Sequence, residues 1–340
     1  MKGNPFLGVK FLCSGENYVK GLLGDEWQKL PPISAEIDPS NLCSENCVWC
    51  MFSEYRRKKP VSISLKDITR IIRQLAKIGC KGLTFTGGGD PLSNPEVFPK
   101  AFYEAINSGM KCALVTNGVL IDKYIDSISD TCTYVRVSVD AGNRETYRRL
   151  HGRDLWNKVW ENLKKLRERF KGDLGVAFLV HPENYQEVKE FCNLARLHDL
   201  SYAGIRPVLL SGYSLSEKIV NSVVQQINSF KSDYDFPVFT RMARFREVIE
   251  KDRGFTDCLA TPLLSVIGAD LNVYLCCAYR GNEKFSFGNL KDSSFEEIWY
   301  GEKRKKIVEG INIDKCIPCR LAQYNIMLGD LKNIAHTEFL

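Results

Sequence analysis

Over the first 210 residues the apolar positions switch repeatedly between strand-like and helix-like spacing. The stretch Ile33-Ser34-Ala35-Glu36-Ile37-Asp38 has strand character and runs towards Cys43. From Ser64 to Ile78, apolar residues recur at Leu65, Ile68, Ile71, Ile72, Leu75, Ala76 and Ile78. That stripe predicts a helix which Ser64 can cap and Gly79 can close. Further strands are predicted over 82–86, 112–116, 134–139, 175–180 and 202–209, with helical segments over 95–108, 155–170 and 185–198. Six strands alternating with helices of this length predict βα units around a parallel sheet. Six units are too few for a closed eight-unit barrel and suit a partial one.

In such sheets ligands gather at the C-terminal ends of the strands. The chain places its most reactive residues there: Cys43 to Cys50 after the first strand, Gly87 to Asp90 after the second, Asn117 after the third, and Ser138 and Asp140 after the fourth. Beyond Ser211 the pattern changes. Residues 211–257 are mixed and predict no clear element. Leu263 to Ile267, a Gly268-Ala269-Asp270 turn and Asn272 to Leu275 predict a hairpin leading to Cys276, and Ser293 to Ile307 a helix ahead of Cys316-Ile317-Pro318-Cys319. The expected organisation is two domains with a border near 210–255, without internal repeats or low-complexity segments.

Composition narrows the class. The 340 residues are 44% hydrophobic, 11% aromatic and 26% charged, which excludes collagen-like, disordered and coiled-coil chains. No apolar run approaches the roughly 20 residues that cross a bilayer. The opening Met1-Lys2-Gly3-Asn4-Pro5-Phe6 lacks the features of a secretory signal. A soluble, cytoplasmic protein with no membrane partner is the expectation. The net charge of +6 is a mild basic excess, and no nucleic-acid recognition motif accompanies it. Thirteen cysteines change the picture more. Without an export signal, such thiols are expected as metal ligands or catalytic groups, not disulfides.

Two cysteine sets stand out. Cys43-Ser44-Glu45-Asn46-Cys47-Val48-Trp49-Cys50 has C-x3-C-x2-C spacing in one loop. Three thiolates can hold three irons of a four-iron cube and leave the fourth iron open. Structural zinc prefers four ligands, and no His or Cys follows nearby to complete such a site. The second set is Cys258, Cys276, Cys316 and Cys319, for which zinc and a four-iron cluster both satisfy the chemistry. Cys277, beside Cys276, reads as a buried small residue, with a ligand or a hydrogen-atom donor as the alternatives. Cys13, Cys80, Cys112, Cys132 and Cys192 read as core thiols. Arg206 and His181 read as ordinary strand residues. The runs Arg56-Arg57-Lys58-Lys59 and Lys303-Arg304-Lys305-Lys306 read as solvated faces, with docking of an acidic electron donor such as flavodoxin or ferredoxin as the functional alternative.

The C-x3-C-x2-C loop, with aromatic Trp49 before its last cysteine, resembles the signature of the radical S-adenosylmethionine (SAM) superfamily. The resemblance implies a partial (β/α)6 barrel over 33–210, in which Cys43, Cys47 and Cys50 hold a [4Fe-4S] cluster that binds SAM. Thr86-Gly87-Gly88-Gly89-Asp90-Pro91 looks like the family's Gly-Gly-Glu motif for the SAM amino group, with Asp90 where Glu is commonest. Asn117, Ser138 and Asp140 match positions of polar contacts to SAM. The region around the second set resembles a shortened SPASM, or twitch, domain, a small α+β iron–sulfur domain over 258–325 holding one auxiliary [4Fe-4S] cluster. Residues 1–32 are then an N-terminal extension, 211–257 a connecting segment and 326–340 a tail. The resemblance implies reductive cleavage of SAM to a 5′-deoxyadenosyl radical and hydrogen abstraction from substrate. Oxidation or epimerisation of a small polar substrate, such as a sugar or aminocyclitol, is the leading expectation. Modification of a ribosomal peptide is the alternative, and a non-catalytic zinc or electron-transfer protein is the reading from another class.

Overall fold

The computed structural model describes residues 8–24, 26–209, 215–240, 242–250 and 253–333. The start at Met1 to Phe6, the last residues of the tail and parts of the 211–257 segment lie outside them. Among the described residues ten strands form one sheet: β1 Ser34–Ile37, β2 Gly82–Phe85, β3 Lys111–Thr116, β4 Cys132–Ser138, β5 Asp173–Val180, β6 Tyr202–Pro207, β7 Val238–Thr240, β8 Leu264–Ile267, β9 Asn272–Tyr274 and β10 Ser286–Asn289. Their order across the sheet is β10-β9-β8-β1-β2-β3-β4-β5-β6-β7. Strands β1 to β7 are parallel neighbours in sequence order, which for β1 to β6 is what the alternation of periods predicts.

The helices between the strands each turn an apolar stripe inward. Leu65–Lys77 buries Ile68, Ile71, Ile72 and Leu75, and its first turn is capped by Ser64 Oγ, which accepts from the Asp67 N–H at 3.1 Å. Gly79, at φ +94°, follows in the left-handed conformation that suits glycine after a helix. Covered in this way, β5 is buried along nearly its whole length.

Three features differ from expectation. The unassigned 211–257 segment contains helix Glu217–Asp233, capped by Ser216, then β7 and helix Met242–Glu250. The predicted 293–307 helix is two: Phe295–Trp299, with a Ser294/Glu297 capping box, and Glu302–Glu309. They part at Gly301, where a Cβ would lie 2.6 Å from the Glu297 carbonyl oxygen. The C-terminal hairpin also joins the main sheet. Strand β8 lies parallel to β1, Ser34 opposite Leu264 and Ile37 opposite Ile267, and β9 and β10 follow antiparallel.

Two residues depart from their predicted surroundings. Cys13 is exposed in a short 3-10 turn, not a core thiol. Arg304, inside a run read as a solvated face, is only 1% exposed. Its guanidinium lies 3.9 Å from the Trp299 ring centroid and donates to the Trp299 carbonyl oxygen at 2.9 Å. Arg304 also donates to the Gln28 carbonyl oxygen at 3.3 Å and Trp299 Nε1 to that of Leu30 at 2.8 Å, which pins the last helices to the N-terminal segment, whose Phe11 and Leu22 share a small second core with Ala260, Leu263 and Leu328.

Candidate active site

The loop from Cys43 to Cys50 leaves the end of β1 and is fastened to the C-terminal end of helix Arg144–His151. The Asn46 and Val48 N–H groups donate to the carbonyl oxygens of His151 and Leu150, both at 3.0 Å. Gly152, at φ +69°, makes the fastening possible, because a Cβ there would sit 2.8 Å from the Asn46 carbonyl oxygen. Glu45 is buried beneath the loop. One of its carboxylate oxygens accepts from Tyr147 Oη, and the other lies 2.9 Å from His151 Nδ1. The same Nδ1 is 3.6 Å from Cys47 Sγ, while Nε2 faces Asp140 Oδ2 at 3.5 Å. Burial alone would lower the His151 pKa, but the neighbouring Cys47 sulfur and Glu45 carboxylate outweigh it and raise it. Trp49 packs edge-on against the His151 ring at 5.5 Å and tilted against His181 at 5.7 Å. Arg56, in the first basic run, donates to Cys50 Sγ at 3.6 Å and to the Glu45 carbonyl oxygen at 3.2 Å, so this run too is not wholly a solvated face.

The glycine loop after β2 lies against the start of the cysteine loop. The Gly88 N–H donates to Asp38 Oδ2 at 2.9 Å. At Gly89 a Cβ would fall 2.1 Å from the Leu42 carbonyl oxygen and 2.4 Å from the Asn41 carbonyl carbon, so only glycine fits. Asp90 is fully engaged within the chain. Its Oδ2 accepts from Thr116 Oγ1 and the Asn117 N–H, both at 2.7 Å, and its Oδ1 from the Leu92 N–H at 3.0 Å. Burial nevertheless pushes its pKa up to about 6. The carboxylate thus clamps the end of β2 to the end of β3. Asn117 donates from Nδ2 to Ser44 Oγ at 2.9 Å and Cys43 Sγ at 3.5 Å. Asp140, at φ +56°, accepts the Leu179 N–H at 2.6 Å, and Ser138 lines the cavity beside it.

One cavity of about 410 Å³ joins these residues to the C-terminal cysteines. Cys43, Cys47, Cys50, Gly87 to Asp90, Asn117, Ser138 and Asp140 line it together with Cys258, Cys276, Cys277, Cys316 and Cys319. Between the two sets lies a buried ionic network. Arg280 donates to Glu36 at 3.0 Å and faces Asp38 at 2.9 Å, while Arg320 pairs with both Glu36 oxygens, at 3.0 and 2.5 Å. Burial opposes the ionisation of Glu36, but Arg320 and Arg280 overcome it and hold the carboxyl at about 2. Burial prevails at Asp38, which is pushed up to about 7. Cys277 faces Arg320 and Arg280 at the end of this network. Its surroundings are therefore ionic, unlike those of a core thiol.

The donor chemistry fits iron–sulfur clusters. Burial raises the Cys43 and Cys258 thiols to about 12 and Cys319 to about 11, so bound cations must replace the protons if these sulfurs are to be thiolates. Among the described residues, three donor atoms meet within 4.8 Å at Glu45, Cys47 and His151. Neither the three loop cysteines nor any three of the C-terminal four form such a group. A tetrahedral zinc ion with bonds of about 2.3 Å would draw its sulfurs to within about 4 Å of one another. Thiol donors in these numbers suit iron–sulfur clusters.

Thiols and a glycine turn on the C-terminal rim of a parallel sheet define the class, an α/β iron–sulfur enzyme. Residues 37–195 match the model of the radical SAM superfamily, and residues 258–320 match that of an iron–sulfur cluster-binding domain, SPASM. The chain belongs to the radical SAM superfamily, with a SPASM region following the SAM-binding domain. Its cofactors are SAM and [4Fe-4S] clusters. The molybdenum cofactor biosynthesis protein moc-5 of Caenorhabditis elegans is 28% identical over 165 residues, 46% of this chain and 27% of that protein. The mycofactocin maturase MftC of Mycolicibacterium smegmatis is 23% identical over 307 residues, 85% of this chain and 75% of that protein. Among solved structures, Streptococcus suis SuiB bound to precursor peptide SuiA superposes with a TM-score of 0.69 at 15% identity, covering 87% of this chain and 72% of that one, a likeness of fold. The chain spans about half or less of the length of several curated relatives it matches.

The sequence reading missed Glu45, Tyr147 and His151, and the Glu36, Asp38, Arg280 and Arg320 network. Glu45 lies inside the cysteine loop and was open to notice. Arg320 and Glu36 are 284 positions apart, and no local pattern joins them.

Proposed function

We propose that the protein oxidises a substrate held between its two cysteine sets. The single cavity they share carries this reading: a substrate there can face the Cys43–Cys47–Cys50 side and the Cys258–Cys276–Cys316–Cys319 side at once. When bound, SAM and its cluster supply hydrogen-atom abstraction, and the auxiliary cluster supplies an acceptor for the electron left behind. The chain's own residues position these groups. Asn117 and Arg56 reach Cys43 and Cys50, the clamp from Asp90 to β3 fixes the glycine loop, and Tyr147 and His151 hold Glu45 under the cysteines.

The walls include Val115, Leu179, Val208, Leu275, Ile311 and Ile317. On these apolar walls a sugar or aminocyclitol would find no partners for its hydroxyls, which only the polar lining at Thr86, Asn117, Ser138 and Asp140 supplies. The walls favour a substrate with an apolar body, either a small molecule or a peptide side chain; SuiB, of the same fold, has been seen with a precursor peptide. A cytoplasmic location and a flavodoxin or ferredoxin as reductant complete the proposal.

Anaerobic reconstitution tests it. The protein should bind about eight irons as two four-iron clusters, release 5′-deoxyadenosine when given SAM and dithionite, and lose that release in Cys47→Ala. A colourless protein with stoichiometric zinc would refute the reading.

A further inference from the structure

The glycine loop after β2 is held in place by residues from the far end of the chain. Asp38, Phe52 and Tyr55 surround Gly88. The Gly88 N–H donates to Asp38 Oδ2 at 2.9 Å, and a Cβ at Gly88 would meet Asp38, Tyr55 and Phe52 at 3.5 to 3.9 Å. Two consecutive residues of the C-terminal region engage all three. Arg280 Nε lies 2.9 Å from the same Asp38 oxygen that receives the Gly88 N–H, and the guanidinium carbon lies 5.7 Å from the centroid of the Phe52 ring. Gly281, at φ +78°, lies against Tyr55, where a Cβ would fall 2.6 to 3.0 Å from ring carbons. The arginine is itself fixed, since it donates to Glu36 at 3.0 Å and to the Cys277 carbonyl oxygen at 3.4 Å. Every partner in this set is a group of the chain itself. Neither Arg280 nor Gly281 lines the cavity.

A loop of three consecutive glycines has no side chains to pack, so its order must come from its neighbours. A guanidinium is suited to supply it, because its rigid fork can grip two carboxylates in fixed directions. Resting on the reading of Gly87 to Asp90 as the loop that faces SAM, we propose that Arg280 and Gly281 are positioning residues for SAM, acting through Asp38, Phe52 and Tyr55. The SAM site of the N-terminal domain is then complete only when the segment after Cys277 is docked on it. The affinity for SAM depends on two residues that do not touch the ligand.

Iron-loaded protein, kept anaerobic and without reductant, can be titrated with SAM by equilibrium dialysis. Arg280→Gln should bind SAM about tenfold more weakly at unchanged iron content, and Arg280→Lys should recover part of the loss. The double variant Arg280→Gln/Asp38→Asn should bind no more weakly than the weaker single variant, because one path carries both effects. Gly281→Ala, at an exposed position, should weaken SAM about threefold by displacing Tyr55, and it decides the matter should Arg280→Gln not fold. Hydrogen exchange in iron-free protein gives a readout independent of the clusters: the amides of 87–89 should exchange about tenfold faster in Arg280→Gln while those of β5 keep their rates. Affinity for SAM within about twofold of wild type in Arg280→Gln or in Gly281→Ala would overturn the inference. So would multiplied losses in the double variant, a loss of iron, or faster exchange spread over the whole sheet, each of which would assign Arg280 a different role. Wild-type protein that binds no SAM would instead refute the reading of the glycine loop, so the two failures are distinguishable.

Discussion

The three consecutive glycines after β2 should respond to alanine very unequally. At Gly88 a new Cβ would meet Asp38 Oδ2 at 3.5 Å and ring carbons of Tyr55 and Phe52 at 3.8 and 3.9 Å, all ordinary contacts. At Gly87 it would meet backbone atoms of Gly89 and Ser40 at 3.1 to 3.3 Å, which requires a shift of a few tenths of an ångström. At Gly89 the nearest atoms are the Leu42 carbonyl oxygen at 2.1 Å and Asn41 backbone at 2.4 and 2.5 Å. Relief there requires movement of more than about 1 Å in main chain that leads directly into Cys43. Overpacking of a well-filled site costs about 1–3 kcal/mol even when side chains can yield, and here the obstacle is backbone. Gly88→Ala should therefore keep its iron and release 5′-deoxyadenosine within about threefold of wild type, under about 1 kcal/mol. Gly87→Ala should be intermediate. Gly89→Ala should lose both the SAM-binding cluster and the release. The readouts are iron content, absorbance near the cluster bands and product release under dithionite. A Gly89→Ala protein with full iron and near-normal release, or a series in which Gly88→Ala is the most damaged, would refute the argument.

Other perturbations follow from the same geometry. Asp90→Asn must turn its amide nitrogen towards Leu92 N–H or towards the Thr116 and Asn117 donors. The mismatch should cost about 2 kcal/mol and appear as a lower thermal midpoint with the clusters still present. Glu36→Gln leaves Arg280 and Arg320 without their shared carboxylate. The Glu36 carboxyl is held at about 2 against 4.5 for the free group. Its contribution is therefore complete above pH 4.5 and is lost only as pH falls through 2. A loss of about 3 kcal/mol should appear equally in urea unfolding at pH 5, 6.5 and 8, and a loss that vanishes at pH 5 would contradict the pairing. Cys319→Ser should reduce bound iron from about eight to about four while release of 5′-deoxyadenosine continues, since Cys43, Cys47 and Cys50 remain; loss of all iron would show that the two sets do not assemble separately.

The parallel part of the fold was legible because each element has a strong local signature. The stripe Ile68, Ile71, Ile72, Leu75 and its Ser64 cap specify one helix face, and β1 to β6 occur where short apolar runs alternate with such stripes. Helix Glu217–Asp233 was equally readable in principle, since Ser216 caps it and Val220, Val223, Ile227 and Phe230 recur on one side. Strand β10 was not, because Ser286-Phe287-Gly288-Asn289 is a strand only through its pairing with β9. At the site, cysteine and glycine spacing marked residues that the structure brings to one cavity, because cluster chemistry imposes local patterns. The supporting charges were hidden. Glu36 resembles any polar residue in a strand until Arg280 and Arg320 return from the far end of the chain.

The seam between β1 and β8 has a consequence for how the protein is made. Ser34 emerges from the ribosome roughly 230 residues before its partner Leu264, an interval of some 10–50 s at ordinary elongation rates. Throughout that time one edge of the nascent sheet stands open, with unpaired amides available to any passing strand. A fragment ending before the hairpin would keep that edge bare permanently, and should be recovered in inclusion bodies even though it carries Cys43, Cys47, Cys50 and the glycine loop.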